Sequence, residues 1–350
     1  MIGIDLFSGA GGMSLGARSA GIDVQQVVEA DQHAAATYEA NHSPLNGVFA
    51  DDIRKFEPKM VTNRENEGLV VFGGPPCQGF STSNQRTRTL DNDKNWLFRE
   101  FVRVVRQTTP DWFVFENVRG ILETEGGVFV EHIVDEFEKI GYTVSSKLLH
   151  AADYGVPQRR ARFFIVGSSS GISYKFPAPT HSTPNTTHEA IADLPTLNNG
   201  ANTCELPYGQ PPLSAYAAML RGNEEASKNN LVTRNGRDIL RRYRHIPQGG
   251  NWENIPDRLM GNYADKSRCH TGIYRRLNSD EPSVVIGNYR KNMLVHPTQD
   301  RGLSVREAAR LQSFPDSFRF VGSIGFQQQQ VGNAVPPLLA EAVFNNLSDL

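Results

Sequence analysis

Short apolar runs alternate with amphipathic stretches through the first half of the chain. IGIDLF (2–7), VQQVVEA (24–30), LVVFG (69–73), WFVFEN (112–117), TVSSKLL (143–149) and RFFIVG (162–167) read as strands. They are short, rich in branched and aromatic side chains, and bounded by glycine or polar positions. Helical patterns lie between several of them. Gly12–Ala20 follows the first glycine loop, and His33–Asn41 is rich in alanine. Trp96–Gln107 places Trp96, Leu97, Phe101, Val104 and Val105 near helical spacing, and Phe129–Ile140 does the same with Phe129, Ile133, Val134, Phe137 and Ile140. Strand–helix alternation of this kind predicts a doubly wound α/β sheet with helices on both faces.

After Gly167 the texture changes. Residues 168–235 are rich in Ser, Thr, Asn, Pro and Gly, with no long helical pattern before about Ile239. A separate, smaller, loop-rich domain is expected there. Helical spacing returns at Leu303, Val305, Ala308, Ala309 and Leu311, and a last helix is expected from about Pro337. Four glutamines at 327–330 are too short a run to be low complexity.

Composition narrows the class. At 350 residues, 39% hydrophobic and 21% charged, the chain is ordinary globular protein. It has no apolar run long enough to span a bilayer and no basic, apolar leader at its start, so a cytoplasmic location is expected. Cys77, Cys204 and Cys269 are too far apart for a CxxC site, and the nine histidines lack HExxH spacing. No metal site is expected. The formal net charge is −2, yet residues 234–306 hold 14 Lys/Arg against seven Asp/Glu. Such a surplus suits either a solvated surface or a region facing phosphates.

Three stretches carry candidate chemistry. DLFSGAGGMSLG (5–16) leaves a strand and opens a helix, and Gly9, Gly11 and Gly12 let a ligand approach the backbone. Glu29, 18 residues beyond Gly11, can accept from ribose hydroxyls; Asp52 can accept from an exocyclic amino group; Phe7 and Ile53 offer apolar faces to a purine. An adenosine moiety fits, within either NAD or S-adenosylmethionine. The glycine spacing differs from GxGxxG and leans toward the methyl donor. The second stretch, VVFGGPPCQGFS (70–81), frees the backbone at Gly73 and Gly74 and then fixes it at Pro75 and Pro76, placing Cys77 at a strand's loop end. A nucleophile needs such definition, whereas a structural cysteine usually sits inside an element. In the third, Glu116 ends the strand WFVFEN, as a helix cap or as an acid, and Arg160 and Arg162 alternate along the expected strand QRRARFF (158–164) and so share a face.

Together, DLFSGAGG, GGPPCQGFS, ENVRG, QRRAR, REAARLQSFPD and QVGNAVPP resemble the motifs of the cytosine-5 DNA methyltransferases of the bacterial or phage restriction–modification type, in that family's unpermuted order. The resemblance runs from residue 5 to 340 apart from the variable region. It implies an S-adenosylmethionine-dependent, Rossmann-like mixed sheet with a smaller target-recognition domain. The implied division is a catalytic and cofactor-binding domain at 1–178, target recognition at 179–305, and a segment at 306–350 that returns to the catalytic domain. It implies Cys77 as nucleophile toward cytosine C6, Glu116 as acid at N3, Arg162 as the residue orienting the base, and Arg160 in support. Implied cofactor contacts are Phe7, Gly9, Gly11, Glu29, Asp52, Ile53, Pro75, Leu97, Asn333 and Val335. Implied DNA contacts are Gln78, Ser81, Ser83, Arg86 and Arg88, in a segment resembling the family's catalytic loop. The product would be S-adenosyl-L-homocysteine, the partner double-stranded DNA bound by a monomer, and a cognate restriction endonuclease a functional counterpart. A nucleoid-associated site in a prokaryotic cytoplasm follows. A cytosine-5 tRNA methylase of the same fold, and a non-catalytic DNA-binding regulator, are the alternatives. The intact Cys77, Glu116 and Arg162 oppose the second.

Overall fold

A computed structural model describes residues 1–59, 67–76, 97–261, 271–287 and 289–347. These residues form two compact units. The first comprises residues 1–154, 161–180 and 335–350, and the second 155–160 and 181–334.

The first unit is built on a seven-stranded sheet. Its strands are β1 (Ile2–Leu6), β2 (Asp23–Val28), β3 (Val48–Phe49), β4 (Leu69–Gly73), β5 (Trp112–Val118), β6 (Thr143–His150) and β7 (Ala161–Ser168), in the order β3-β2-β1-β4-β5-β7-β6. All neighbouring pairs are parallel except those made by β7, which runs antiparallel to both β5 and β6. The central strands β1, β4 and β5 are buried on both faces, and their near-continuous apolar runs are what such a position demands. The helices are α1 (Gly12–Ser19), α2 (Gln32–His42), α3 (Leu97–Thr108), α4 (Val128–Lys139) and, at the end of the chain, α11 (Pro337–Asn345). Helix α3 buries Phe101, Val104 and Val105, as its spacing predicts, together with Phe98 and Val102, while Leu97 is only half-buried and Trp96 lies outside the described residues. Phe137 of α4 stacks on Phe113 of β5 with ring centroids 3.9 Å apart, and Phe101 meets Phe113, Phe115 and Phe137 edge-on.

The second unit has more secondary structure than its composition suggests. A hairpin joins β8 (Asn202–Pro207) to β9 (Ala226–Leu231). Its helices are α5 (Thr187–Ile191), α6 (Ala215–Arg221), α7 (Arg237–Tyr243), α8 (Tyr289–Asn292), α9 (Val305–Leu311) and α10 (Ile324–Asn333). The short ones are anchored by side-chain caps that leave little periodic signal: Thr186 and Glu189 form a capping box on α5, and Ser214 caps α6. The glutamine run is likewise architectural. On α10, Gln327 donates to the Gly322 carbonyl, Gln328 to Thr233 and Gln330 to the Val321 carbonyl.

Much of the basic surplus lies inside this unit. Arg242, Arg276, Arg301 and Arg306 are buried. Arg276 donates to the carbonyls of Tyr243, Ile246, His296 and Gln299, and Arg306 to those of Lys228, Pro315 and Phe318. The expectation that the whole surplus faces outward therefore needs correction. The unit's core is cross-braced by charge. Arg310 binds Asp316 through Nε (2.9 Å) and Nη2 (2.6 Å) and also binds Asp193, with all three side chains buried. Arg301 clasps Glu307 at 2.6 and 2.8 Å and draws its carboxyl pKa down to about 2 against the effect of burial.

Truncating Arg310 to Met removes the guanidinium that two buried carboxylates share and leaves them only the longer pairs to Arg221 and Arg306, each at 3.7 Å. This should cost about 3–5 kcal/mol, read as a lower denaturant midpoint for the second unit; a loss under about 1 kcal/mol would refute the bracing role. A pH dependence also follows. His42 in the first unit and His296 in the second are held neutral mainly by burial, each with its pKa drawn down to about 4. His296 Nδ1 accepts from the backbone N–H groups of Thr298 and Gln299, which protonation would break. An imidazole in the unfolded chain takes its proton near pH 6.5. Stability from these groups is thus complete above about pH 6.5 and is lost as the pH falls toward 4. Urea melts across that range should show the loss, and His296→Gln should flatten it; the same slope in that variant would contradict the assignment.

Candidate active site

The loop after β1 leaves the sheet through left-handed backbone. Phe7 turns the backbone into the left-handed region (φ 59°), and Gly9 follows at φ 56°. A methyl group built on Gly9 would meet no atom within 4 Å, so the loop backbone is open on that side. At Gly11 the backbone is also left-handed (φ 94°), and packing adds a second demand for glycine, because a Cβ there would lie 2.4 Å from the His42 ring. Beneath the loop, Tyr38 donates to Ser14 Oγ (2.7 Å), and Ser14 donates to Asp5 Oδ2 (2.6 Å). This buried chain ties β1, α1 and α2 together. Burial raises the Asp5 carboxyl pKa well above its ordinary value, opposed by the Ser14 hydrogen bond.

Glu29 lies just past β2, which stops at Val28 rather than running through residue 30. Its Oε2 accepts from the Gly9 N–H (2.7 Å) and its Oε1 from the Asp31 N–H (2.7 Å). One carboxylate thus joins the loops after β1 and β2. Its pKa is raised by burial, with both N–H groups pulling the other way. Ile53 is buried at the start of a 3-10 turn at 53–55, and Phe7 packs against the same apolar cluster. Asp52 caps that turn through the Arg54 N–H (3.0 Å) and pairs with the Arg54 guanidinium, which draws its pKa down to about 2. Leu97, at the start of α3, packs on the same cluster.

The second focus lies at the ends of β4, β5 and β7. Glu116 is on β5 and Arg162 on the adjoining β7, two residues out of register in the antiparallel pair. Arg162 Nε stands 2.6 Å from Glu116 Oε1, and both side chains are 9% exposed. Burial lowers the Arg162 pKa, and the Glu116 charge opposes the shift. Gly74, read from the sequence only as a source of backbone freedom, and Asn117 position this pair. A Cβ on Gly74 would stand 2.5 Å from Glu116 Oε2, so the carboxylate reaches its place only beside glycine. Asn117 donates to the Pro75 carbonyl (3.1 Å), tying the end of β5 to the Pro75–Pro76 turn. The adjacency of Asn117 to Glu116 in ENV, and the second glycine of GGPP, were the available signals.

Arg160 behaves differently from Arg162. Strand β7 begins at Ala161, so Arg160 precedes it and the expected shared face does not form. Arg160 is 1% exposed, in the second unit, and donates to the carbonyls of Ile286, Gly332 and Ala334. It thereby fixes the backbone on either side of Asn333, the exposed last residue of α10. Val335 is buried and opens the C-terminal segment of the first unit. Cys77, Gln78, Ser81, Ser83, Arg86 and Arg88 lie outside the described residues. Among the described residues, no group of three His, Cys, Asp or Glu side chains is arranged to hold a metal ion, and no helix is long and apolar enough to cross a membrane.

Comparison with known proteins bears on this geometry. The family described as C-5 cytosine-specific DNA methylase matches residues 1–349. The Type II methyltransferase M1.HphI of Haemophilus parahaemolyticus is 41% identical over 344 residues, covering 97% of this chain and 84% of that protein. M.DdeI of Desulfomicrobium norvegicum is 33% identical, covering 99% of this chain and 88% of that protein. Among solved structures, an E. coli prophage-encoded protein assigned as a DNA modification methyltransferase superposes with a TM-score of 0.80 at 26% identity, covering 100% of this chain and 99% of that one. Family motifs at both ends of the chain, a mixed sheet of the same fold, and a buried carboxylate–guanidinium pair beside the proline turn converge on one assignment: the chain is a member of the C-5 cytosine-specific DNA methylase family.

Proposed function

We propose that this chain transfers a methyl group from S-adenosyl-L-methionine to C5 of a cytosine flipped out of a specific duplex sequence, through a covalent bond between Cys77 and C6. The observation that carries the reading is the buried Glu116–Arg162 pair, seated against Gly74 at the base of the proline turn that leads to Cys77.

The chemistry follows from what cytosine lacks. Its C5 is a weak nucleophile. Addition of the Cys77 thiolate to C6 forms an S–C6 bond and moves electron density to C5. Glu116 shares a proton with N3 as that density develops, and Arg162 holds Glu116 and the base in place. S-adenosyl-L-methionine, when bound, would supply the electrophilic methyl group to C5 from its sulfonium, leaving S-adenosyl-L-homocysteine as the neutral thioether product. Loss of the C5 proton to a base, with water as the proposed acceptor, expels Cys77 and restores aromaticity. A base inside the stack cannot reach such a site, so the cytosine must leave the duplex.

The loops after β1 and β2 are the proposed cofactor site. Glu29 is the proposed acceptor from ribose hydroxyls, Phe7 and Ile53 are the proposed apolar contacts of the purine, and the backbone at Gly9 is open to close approach. Gly11, Asp52, Pro75, Leu97, Asn333 and Val335 are proposed as further contacts on the strength of the motif match. Residues 1–178 would supply chemistry, 179–305 target recognition, and 306–350 the returning segment. Duplex DNA is the proposed partner of a monomeric, cytoplasmic enzyme, with a cognate restriction endonuclease as counterpart.

Labelled-methyl incorporation, run with duplex DNA and with tRNA, tests the reading. Incorporation into DNA is expected; incorporation into tRNA alone would sink it. Cys77→Ser should abolish transfer yet keep DNA binding, and normal transfer in that variant would end the covalent scheme. Gly74→Ala should displace Glu116 and lower kcat by about 10²-fold, while duplex affinity stays near wild type. An unchanged kcat would show that the placement of Glu116 does not matter.

A further inference from the structure

The buried arginines of the second unit leave a different question: which basic residues there still meet solvent as a group. Helix α7 answers it. Its inner side is fixed to the unit's core. Tyr243 is 1% exposed and Ile246 3%, and Arg242 donates to the Leu259 carbonyl and to Tyr274 Oη, both at 2.7 Å. Arg237, Arg241 and Arg244 are exposed, and they recur at intervals of four and three residues. At about 100° per residue, these positions fall within one narrow stripe on the side away from Ile239, Tyr243 and Ile246.

Two carboxylates lie near the stripe, and neither neutralises it. Asp238 stands 3.5 Å from Arg241, with both side chains well over half exposed, a geometry worth little in water. Asp300 is 3.9 Å from Arg244 but is held at 2.6 Å by the buried Arg276. Three fixed-pitch guanidinium groups on a firmly seated helix match a row of phosphates. They are poorly suited to an apolar partner.

We propose that the Arg237–Arg241–Arg244 face of α7 contacts the phosphate backbone of duplex DNA. The proposal rests on the reading of the chain as a DNA methyltransferase and deepens it. The contact is sequence-independent: it sets affinity and register, and base-edge readers lie elsewhere in the unit.

The test is the salt dependence of binding between the full chain and a fluorescein-labelled duplex of mixed sequence, followed by anisotropy. Each phosphate contact contributes about 0.9 to the slope of log Kobs against log salt. Replacing all three arginines by Gln should make the slope shallower by about 2.7 and weaken binding. Replacing all three by Lys should retain the wild-type slope, because a point charge suffices for a phosphate and not for bidentate base reading. Lys139→Gln, on α4 of the first unit, should leave the slope unchanged. An unchanged slope in the triple Gln variant, while the wild-type chain methylates DNA, would overturn the proposal and leave the enzymatic reading intact. Failure of the triple Lys variant to restore the slope would overturn it in favour of base reading. A change seen with tRNA but not with duplex DNA would also overturn it. Absence of methyl transfer to DNA by the wild-type chain would instead bring down the underlying reading.

Discussion

The pairing of Glu116 with Arg162 is the constraint around which the first unit is organised. Two opposite charges, each 9% exposed, are held 2.6 Å apart where three strands end. Removing both from water is expensive, and apolar residues of similar volume often stabilise a fold as well or better. Such a pair is weak evidence for a stabilising role, and it suits the chemistry proposed for it. The sheet accommodates them through a single departure from parallel order. Strand β7 enters antiparallel between β5 and β6, which brings Arg162, at the start of one strand, beside Glu116, near the end of its neighbour. A wholly parallel arrangement would set the beginning of one strand beside the beginning of the next.

The surroundings follow from that placement. Gly74 must lack a side chain for the carboxylate to fit, and Asn117 secures the Pro75 carbonyl from the residue next to Glu116. The turn leading to Cys77 and the acid on β5 are therefore fixed by adjacent residues of one strand. At the other end of the site, Glu29 does comparable work by holding backbone N–H groups from two loops. A carboxylate so engaged is oriented by the fold itself, and under the proposed function that orientation would lower the cost of binding a ribose.

Strands and helices of the first unit were legible because their signals are local. Six apolar runs became the six principal strands, and the amphipathic spacing of α3 and α4 marked the buried faces. Strand direction was not legible, since nothing within RFFIVG says which neighbour it will join. Long-range polar contacts were hidden for the same reason. The alternation of Arg160 and Arg162 suggested a common face, yet Arg160 clasps carbonyls of residues 286, 332 and 334 while Arg162 meets Glu116. REAARLQSFPD carried the family resemblance, and its charges prove to be internal bracing: Arg306, Glu307, Arg310 and Asp316 are all buried. A charge count cannot separate such residues from a surface patch, because burial depends on partners far away in sequence. Only the structure distinguishes Arg242 and Arg276 from the exposed arginines of α7.

A duplex carrying 5-fluorocytosine at the methylated position tests the central claim most directly. Fluorine at C5 cannot leave as a cation, so the final elimination stalls after methyl transfer. The account requires a denaturation-resistant complex of protein, DNA and transferred methyl group, formed by the wild-type chain and absent in Cys77→Ala. Methylation of ordinary duplex DNA with no such complex on the fluorinated duplex would contradict attack by Cys77 at C6.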